Sequence, residues 1–424
     1  MRILVSAYAC EPGLGSEPGV GWNLVKQVAR NHQVWVITRA NNRPTIEAGL
    51  EREPLPTARW IYFDLPYWSR FWKRGRRGIY LYYCLWQIGA YVTAKRLHGV
   101  QKFDIVHHAT FANYWLPTLM WLLPVPFVWG PVGGGESAPY PFLQGLSGRA
   151  IVYEILRCFG RWIGERNPAV RLCARRARVT FASTDETAAK LRRLGARQVE
   201  TLSQAALPPE EVSRLAALPR RNAGPFRLLS IGTLIGCKGF HLALAAFARF
   251  QESLPASEYW LIGDGPERRR LERLAQRLRV STRVRFWGNL PRTKVLKLLG
   301  ECDVLVHPTL HDSGGWVCVE AMAAGRPVVC LNLGGPGLLV GDEAGFRIHA
   351  STAGRAVYEL ADRILVLARD SGLRGRLGEE ARRRVAEHHE WSGKGNKISL
   401  VYETLASSEG RPSVPFANQR LPST

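Results

Sequence analysis

The sequence predicts an α/β protein built from two doubly wound domains, and two observations support this. Its 424 residues are too many for one hydrophobic core and suit two domains of roughly 200 residues each. In both halves of the chain, short apolar runs alternate with helical stretches. That alternation is typical of a parallel sheet with helices on both faces.

The N-terminal domain, predicted at residues 1–205, shows the alternation from its start. An apolar run at 3–7 is followed by a loop rich in Gly and Pro, a helical stretch near 20–31 and a second apolar run at 34–38. Further strands are predicted at 60–63, 105–107, 127–129 and 179–182.

Segment 206–225 is rich in Pro and small residues and predicts a linker without regular structure. The alternation resumes in a second domain, predicted at 226–395. Its strands are predicted at 227–231, 259–262, 284–287, 304–307 and 328–331. Residues 396–424 are expected to form a C-terminal helix and a disordered tail, because Ser, Pro, Gly and Asn are frequent near their end.

The chain is strongly basic, since Lys and Arg outnumber Asp and Glu by 58 to 35 and the formal net charge is +23. This charge fits nucleic acid, an anionic membrane or phosphorylated small molecules as partners, and a GC-rich genome is a further source of Arg. The apolar share of 46% argues against disorder as the dominant state.

The eight cysteines stand singly, without the spacing of a metal site, so we expect buried thiols in a reducing compartment and no bound metal. The first residues lack the pattern of a signal peptide, and we expect a cytoplasmic protein. Between Ala109 and Gly135 no residue is charged, but four prolines interrupt this stretch. A helix near Pro117 followed by a buried strand is therefore favoured over a membrane span.

A glycine-rich loop at 10–22 follows the first predicted strand and precedes the first predicted helix. Backbone amides and a helix N-terminus at such a place can bind an anion, and glycines allow close approach. The loop lacks the G-x-G-x-x-G spacing of dinucleotide-binding proteins, so a simple tight turn remains the alternative.

The strongest pattern lies at 307–327, where a strand ends, a glycine loop follows and a helix is predicted to begin near Trp316. The amides of the loop are predicted to converge on an anion at the positive end of that helix. These amides belong to Ser313, Gly314 and Gly315.

Two carboxylates, Asp312 and Glu320, bracket the predicted helix start. With an anion between the amides, both acids would accept hydrogen bonds from neutral hydroxyls. A sugar and a ribose on either side of a diphosphate supply that arrangement of groups. The alternative is an Asp that caps the helix and a Glu at the surface.

This stretch resembles the E-x7-E region of the family 4 (group 1) retaining glycosyltransferases, with Asp312 where the family has Glu. Three further motifs carry the resemblance, which covers nearly the whole chain. Segment 232–239 is similar to the family's G-R-L-x-x-x-K-G, 262–267 to I-G-x-G-P-E, and 325–329 to G-x-P-V-V. The resemblance implies the GT-B fold, in which two Rossmann-like domains face each other across a cleft that holds a nucleotide sugar.

The resemblance also implies residue roles. Lys238 would bind the diphosphate, Asp312 the hydroxyls of the transferred sugar and Glu320 the ribose. The backbone of Gly15 and Ser16 would bind phosphate from the opposite domain. The family's Arg in the first motif is Thr233 here, so one diphosphate charge is uncompensated unless another Arg enters the site.

Segment 103–110 ends a predicted strand at the place where similar enzymes have a histidine beside the donor sugar. The alternation of side chains does not settle whether His107 or His108 has that role, and a structural histidine is the alternative for either. Glu136 follows the glycines of the next loop and is a candidate acceptor contact, with a helix cap as the alternative.

The reaction implied by the resemblance is displacement at the anomeric carbon with retention of configuration, which needs no protein nucleophile. The absence of a D-x-D motif predicts a metal-independent site, and no cofactor is expected beyond the nucleotide-sugar co-substrate. The expected acceptor is lipid-linked or a polysaccharide, in cell-envelope or exopolysaccharide synthesis. The N-terminal domain is expected to bind this acceptor and the C-terminal domain the nucleotide sugar. A basic nucleic-acid-binding protein and a GT-B epimerase or phosphorylase are the alternatives, although no nucleic-acid-binding motif was found.

Aromatic and cationic residues alternate between positions 62 and 98, which predicts a peripheral surface for the inner face of an anionic membrane. The residues are Tyr67, Trp68, Arg70, Phe71, Trp72, Lys73, Arg74, Arg76, Arg77, Tyr80, Tyr82, Tyr83 and Trp86. A second basic stretch contains Arg157, Arg161, Arg166, Arg171, Arg175, Arg176 and Arg178. The alternative is an ordinary basic helical face whose aromatic residues lie in the core.

Overall fold

The computed structural model describes residues 1–66, 68, 78–111, 113–219, 224–349 and 351–408. The chain folds into two compact units. The N-terminal unit contains Met1–Gly135, Gly160–Gln204 and the described residues from Trp391 onward. The C-terminal unit contains Glu136–Phe159 and Ala205–Glu390.

The N-terminal unit is built on a seven-stranded parallel sheet in the order β3-β2-β1-β4-β5-β6-β7. Its strands are β1 (Arg2–Ala7), β2 (Gln33–Arg39), β3 (Ala58–Phe63), β4 (Ile105–Thr110), β5 (Phe127–Val132), β6 (Val179–Ala182) and β7 (Val199–Thr201). The helices in this part of the chain are α1 (Ser16–Val28), α2 (Arg43–Arg52), α3 (Ile79–Gln101), α4 (Gly148–Arg166), α5 (Pro168–Arg176) and α6 (Asp185–Arg193). Up to Phe159, α4 belongs to the C-terminal unit.

The C-terminal unit is built on a six-stranded parallel sheet in the order β10-β9-β8-β11-β12-β13. Its strands are β8 (Arg227–Ile231), β9 (Glu258–Ile262), β10 (Val284–Gly288), β11 (Val304–His307), β12 (Val328–Leu331) and β13 (Gly345–Ile348). Its helices are α7 (Pro209–Ala216), α8 (Phe240–Ser253), α9 (Arg268–Arg277), α10 (Arg292–Gly300), α11 (Trp316–Ala323), α12 (Gly334–Val340), α13 (Ala353–Arg369) and α14 (Ser371–His388). The central strands β8, β9, β11 and β12 are mostly buried because helices cover both faces of the sheet, whereas the edge strands β10 and β13 are only partly buried.

The predicted linker is wrong for Pro209–Ala216, which form α7. Pro209 stands at the start of this helix, where its missing amide hydrogen costs nothing, and Glu210 and Glu211 in the first turn interact favourably with the helix dipole. Leu215 is fully buried and anchors α7 in the C-terminal unit. Residues 220–223 of the predicted linker lie outside the described residues.

Three aromatic residues predicted for a membrane surface lie in the core. Tyr82, Tyr83 and Trp86 of α3 are completely buried, because they pack on the sheet of the N-terminal unit. Trp68 and Tyr80 are exposed. The remaining residues of that prediction lie outside the described part of the chain: Tyr67, Arg70, Phe71, Trp72, Lys73, Arg74, Arg76 and Arg77.

The uncharged stretch before β5 does not form the helix predicted near Pro117. A single 3₁₀ turn at Met120–Leu122 stands there, since the prolines on either side prevent a longer helix. Across the described ranges, we find no helix with the combined length and apolar character that a membrane crossing requires.

The C-terminal helix, α15 (Trp391–Ser408), begins before the predicted boundary at 395 and packs on the N-terminal unit. It approaches α1 closely, because a Cβ atom on Gly395 would lie 2.4 Å from Cβ of Gln27. Lys394 Nζ donates to the carbonyl of Ser203 at 2.5 Å, and Tyr402 is completely buried. Residues 409–424 lie outside the described part.

We expect Tyr402→Ala to lower the free energy of unfolding of the N-terminal unit by about 3 to 5 kcal/mol, as for other buried aromatic residues cut back to Ala. Leu400→Ala is the matched control, because Leu400 is on the same helix and 63% exposed. Its effect should stay within about 0.5 kcal/mol. Urea denaturation followed by circular dichroism measures both, and equal effects would show that α15 is not anchored through Tyr402.

Candidate functional site

Strands β8 and β11 are neighbours in the sheet of the C-terminal unit, but the chain leaves them in opposite directions. Ligands of doubly wound sheets bind at such a switch point, beyond the carboxyl ends of the strands. The loops that follow β8 and β11 are in direct contact here. The Leu310 amide donates to the Cys237 carbonyl at 2.7 Å, and Thr309 Oγ1 donates to the same oxygen at 3.1 Å.

Gly239 makes this close approach possible. Its φ is +68°, and a Cβ atom there would lie 1.9 Å from the carbonyl oxygen of Pro308. Any larger residue would push the two loops apart. The glycine of the predicted K-G pair is therefore required by the geometry that places Lys238 next to the loop after β11.

Lys238 and Asp312 form an ion pair across these two loops, in which Nζ donates to Oδ2. The Gly314 amide donates to Oδ1 of Asp312 at 3.0 Å, and His307 Nε2 lies 3.8 Å from Oδ2. Burial acts to raise the pKa of Asp312, but the charge of Lys238 and the contact with His307 hold it below its ordinary range. Burial acts to lower the pKa of Lys238, and the charge of Asp312 raises it above its ordinary value. Both groups are charged at neutral pH.

Of the loop amides that were predicted to bind an anion, one already has a partner within the ion pair. The Gly314 amide is bonded to the side chain of Asp312. Gly315, with φ of +77°, immediately precedes α11, so the helix begins at Trp316 as predicted. A Cβ atom on Gly315 would lie 3.0 Å from Pro336, which makes glycine the residue best suited to this turn.

Glu320 is buried on the second turn of α11 and is held by Arg292, which is not among the site residues predicted from the sequence. Arg292 Nη1 donates to Glu320 Oε1 at 2.8 Å, and Arg292 Nε donates to Glu211 at 3.1 Å. Burial raises the pKa of Glu320, and the charge of Arg292 opposes this. One sequence signal was present: a cation in the first turn of α10, where the helix dipole disfavours it, suggests a bound anion.

Thr233, which replaces the family's Arg, is exposed in the C-terminal unit. Arg292 is an arginine that the fold brings to the predicted site residue Glu320. Its described ion pairs are with Glu320 and Glu211, and these contacts do not show that it replaces the family's Arg at the diphosphate. The predicted deficit of one positive charge beside a diphosphate therefore remains a prediction.

Glu136, the predicted acceptor contact, lies in the C-terminal unit against the loop after β11. Ser313 Oγ donates to Glu136 Oε2 at 2.6 Å, and Arg157 Nη2 donates to the Glu136 carbonyl at 2.6 Å. The side chain is buried. The structure thus brings together Lys238, Asp312, Ser313 and Glu136 in one group, while the acceptor role of Glu136 remains a prediction.

Glu154, Cys237 and His311 each offer one potential metal ligand within 4.8 Å of the other two. His311 Nε2 lies 2.7 Å from Glu154 Oε1. That is hydrogen-bond distance and shorter than the separation of about 3.4 Å between two ligands of one tetrahedral zinc ion. Burial also raises the pKa of the Cys237 thiol to about 11, which disfavours a thiolate ligand. This group is best described as a hydrogen-bonded His–Glu pair.

His107 and His108 of β4 are both completely buried in the N-terminal unit. His107 Nε2 donates to the Gly130 carbonyl at 2.6 Å, so Nδ1, 2.5 Å from the hydroxyl of Tyr402, accepts from it. His108 Nε2 lies 2.9 Å from the Tyr83 hydroxyl and Nδ1 lies 3.1 Å from Ser6 Oγ. Every ring nitrogen thus has a protein partner. This geometry favours structural roles, and the catalytic role predicted for these residues is without support from it.

Gly15 and Ser16 lie beyond the carboxyl end of β1, next to the switch point between β1 and β4. Both are exposed, and Ser16, with φ of +63°, begins the 13-residue helix α1. A helix start of this kind suits an anion. The phosphate contact predicted for the two residues remains a prediction.

The C-terminal half of the chain matches a known family. Residues 217–384 match the family described as Glycosyl transferases group 1. Over 211 residues the chain is 32% identical to a glycogen synthase of Mycobacterium tuberculosis. The aligned region covers 49% of this chain and 50% of that protein. Over 153 residues it is 37% identical to the lipopolysaccharide core biosynthesis glycosyltransferase LpsE of Rhizobium meliloti, covering 36% and 42%. The chain thus spans about half the length of these relatives, and the matches support a group 1 glycosyltransferase.

A longer match, of 28% identity over 380 residues, is to 2-deoxystreptamine N-acetyl-D-glucosaminyltransferase of Streptomyces fradiae and covers 82% of both chains. Among solved structures, sucrose-phosphate synthase of Thermosynechococcus elongatus aligns with a TM-score of 0.66 at 20% identity, covering 96% and 99%. Anabaena HepE in complex with UDP and glucose aligns with a TM-score of 0.60 at 18% identity, covering 95% and 100%. These alignments confirm the predicted α/β fold with two Rossmann-like domains.

We expect the stability of the protein to fall as the pH drops from about 6.5 to about 4. Burial lowers the pKa of His107 to about 4, and burial with the neighbouring His107 lowers that of His108 to about 3. In the unfolded chain the pKa of histidine is about 6.5. Between these values the unfolded state binds protons that the folded state does not, so stability is complete above about pH 6.5 and is lost below it.

Thermal unfolding across this pH range measures the effect. His107→Gln should make the melting temperature less dependent on pH, because the titrating ring is gone. The exposed His388→Gln should leave the dependence unchanged. A melting temperature of wild type that is constant between pH 7 and 5 would contradict the buried, neutral state of these rings.

Proposed function

We propose that the chain is a retaining glycosyltransferase of family 4 that moves a sugar from a nucleotide sugar to a lipid-linked or polysaccharide acceptor in cell-envelope or exopolysaccharide synthesis. The ion pair of Lys238 and Asp312 at the switch point of the C-terminal sheet carries the proposal. The match of residues 217–384 to group 1 glycosyl transferases supports it.

Lys238 binds the diphosphate of the donor in this proposal. Its ammonium group is held between two loops and keeps its charge because Asp312 raises its pKa. When donor is absent, Asp312 is its counter-ion; a bound diphosphate supplies a second anion. As the bond to the sugar breaks, negative charge grows on the departing phosphate oxygen, and a fixed ammonium group stabilises that charge.

Asp312 accepts from hydroxyls of the transferred sugar, and Glu320 accepts from the ribose. Glu320 Oε1 is bonded to Arg292, so Oε2 is the oxygen we assign to the ribose. The acceptor hydroxyl arrives on the face that the diphosphate leaves, and the departing oxygen helps to take its proton. Retention follows from this without a protein nucleophile, cofactor or metal ion.

The first donor to test is UDP-glucose, because a structural neighbour, Anabaena HepE, was solved with that molecule. The proposed acceptor class agrees with relatives that act in lipopolysaccharide core and colanic acid biosynthesis. We place the protein at the inner face of the cytoplasmic membrane, where its net charge of +23 would favour anionic lipid. No nucleic-acid partner is proposed.

We expect UDP to raise the melting temperature, and GDP and ADP to raise it less. Glu320→Gln should abolish most of this increase, since a neutral amide beside Arg292 binds a ribose hydroxyl less well than a carboxylate. Glu272→Gln is the matched control, because Glu272 is a surface residue of the same unit paired with Arg268. Thermal shift measures all three proteins, and equal stabilisation of wild type and Glu320→Gln would exclude the proposed ribose contact.

We expect Lys238→Met to lower kcat for UDP-glucose hydrolysis or transfer by about 10²- to 10³-fold, the usual effect of removing one group that stabilises transition-state charge. Lys297→Met, which removes an exposed lysine of the same unit, should leave kcat unchanged. Thermal unfolding of each variant checks its fold. An unchanged kcat in folded Lys238→Met would remove Lys238 from the mechanism.

The product distinguishes the remaining alternatives. Proton NMR of the new glycosidic bond should show the anomeric configuration of the donor, in the presence or absence of EDTA. An inverted product would exclude the retaining mechanism, and loss of activity with EDTA would exclude metal independence. A requirement for inorganic phosphate would indicate a phosphorylase. Release of product without an acceptor would indicate an epimerase. Binding of duplex DNA that does not depend on UDP would indicate a nucleic-acid-binding protein.

A further inference from the structure

Helix α4 has its polar and apolar faces reversed relative to an ordinary surface helix. Its buried side carries charged residues that bond to the protein: Glu154 to His311, Arg157 to the Glu136 carbonyl and Arg161 to the Gly135 carbonyl. Its exposed side carries large apolar residues that are between 49% and 63% exposed: Val152, Tyr153, Ile155, Leu156, Phe159, Trp162 and Ile163. Surface helices normally turn such residues towards the core.

The exposed residues form one stripe, which we call the α4 stripe. Positions 152, 156, 159 and 163 are three or four residues apart and therefore lie above one another on the helix. Arg149 stands exposed at one end of the stripe and Arg166 at the other. The guanidinium carbon of Arg166 lies 3.9 Å from the ring centre of Trp162. A continuous apolar surface of this extent marks an interaction site.

The stripe continues towards α3 within the N-terminal unit. Trp115 lies between the two helices. Its ring centre is 5.3 Å from the ring centre of Tyr80 in α3, and a Cβ atom built on Gly164 of α4 would lie 2.7 Å from the Cβ atom of Trp115. Tyr80 and Leu81, at the start of α3, are 49% and 59% exposed. The exposed apolar surface is thus shared by the end of α4 and the start of α3.

The exposed charges of the chain segment that carries the stripe, residues 148–178, have one sign. Glu154 and Glu165 are the acids between positions 148 and 178, and both are bonded to protein groups: Glu154 to His311, and Glu165 to Tyr114 and Lys190. The exposed charged residues in this range are Arg149, Arg166, Arg171, Arg175, Arg176 and Arg178. An apolar stripe bordered by cations is complementary to lipid chains beneath anionic headgroups.

We propose that the α4 stripe is the surface that inserts into the headgroup region of an anionic bilayer, with the arginines of α4 and α5 at the lipid phosphates. A second copy of the chain fits this face less well, because a symmetric contact would place arginine against arginine. The inference deepens the proposed membrane partner, and it does not depend on sugar transfer. The basic stretch predicted from the sequence contributes Arg166, Arg171, Arg175, Arg176 and Arg178 to this surface, whereas Arg157 and Arg161 bond to the protein.

Vesicle co-sedimentation of the full-length protein, without nucleotide sugar, tests the inference. Wild type should bind vesicles made of phosphatidylcholine and phosphatidylglycerol. Binding should be weaker when salt is added, and weaker to vesicles made of phosphatidylcholine alone. Leu156→Ser with Phe159→Ser should reduce the partition coefficient at least about tenfold, because apolar area is no longer buried in lipid. The control, Leu400→Ser with Tyr358→Ser, replaces residues of matching exposure and should change it by less than about twofold.

Cys158 offers a second measurement, because it is exposed within the α4 stripe while the other seven cysteines are buried or partly buried. An environment-sensitive fluorophore on Cys158 should shift its emission to the blue when anionic vesicles are added. Absence of vesicle binding, or equal binding by wild type and the Leu156/Phe159 variant, would overturn the inference. So would a dimer in sedimentation equilibrium that this variant abolishes, since a second copy would then cover the face. UDP stabilisation, measured in parallel, tests the donor site separately.

Discussion

The ion pair between Lys238 and Asp312 is the interaction on which the candidate site depends. It joins the loops after β8 and β11, which are adjacent strands of the sheet. The two loops are far apart in sequence, since the hydrogen bond between Thr309 and Cys237 spans 72 residues. Gly239 permits the close backbone approach that this pair requires, and Gly315 leaves room for the side chain of Pro336 at the start of α11. The ion pair also bonds the Gly314 amide, so one carboxylate organises a cation, an amide and the start of α11.

Charged groups are repeatedly held by partners from distant parts of the C-terminal unit. Glu320 of α11 is bonded to Arg292 of α10, which is bonded to Glu211 of α7. Ser313 is bonded to Glu136, a residue that precedes most of this unit in sequence. A buried charge without a partner is costly, so such networks fix the direction of each side chain. The segment predicted as a linker thereby helps to position the carboxylate assigned to the ribose.

The same requirement explains the unusual α4 helix. Its charged residues are turned inward because His311 and backbone carbonyls of the chain bond them there. Its large apolar residues then face outward and are about half exposed. One face of α4 thus satisfies buried polar groups, and the opposite face carries the apolar residues of the proposed docking surface. The histidines of β4 follow the first part of this principle, since every ring nitrogen is bonded within the N-terminal unit.

The sequence by itself determined the two parallel sheets and the positions of Lys238, Asp312 and Glu320, because strand ends and glycine loops are local patterns. It did not determine that Arg292 and Glu211 hold Glu320, since these contacts span 28 and 81 residues. The sequence indicated a basic stretch at Arg157–Arg178 and a C-terminal helix, but only the tertiary structure decided that α4 turns its polar face inward and that α15 docks through Tyr402 on His107. The physical reason is that a side chain's partner depends on which distant segments the fold brings to it.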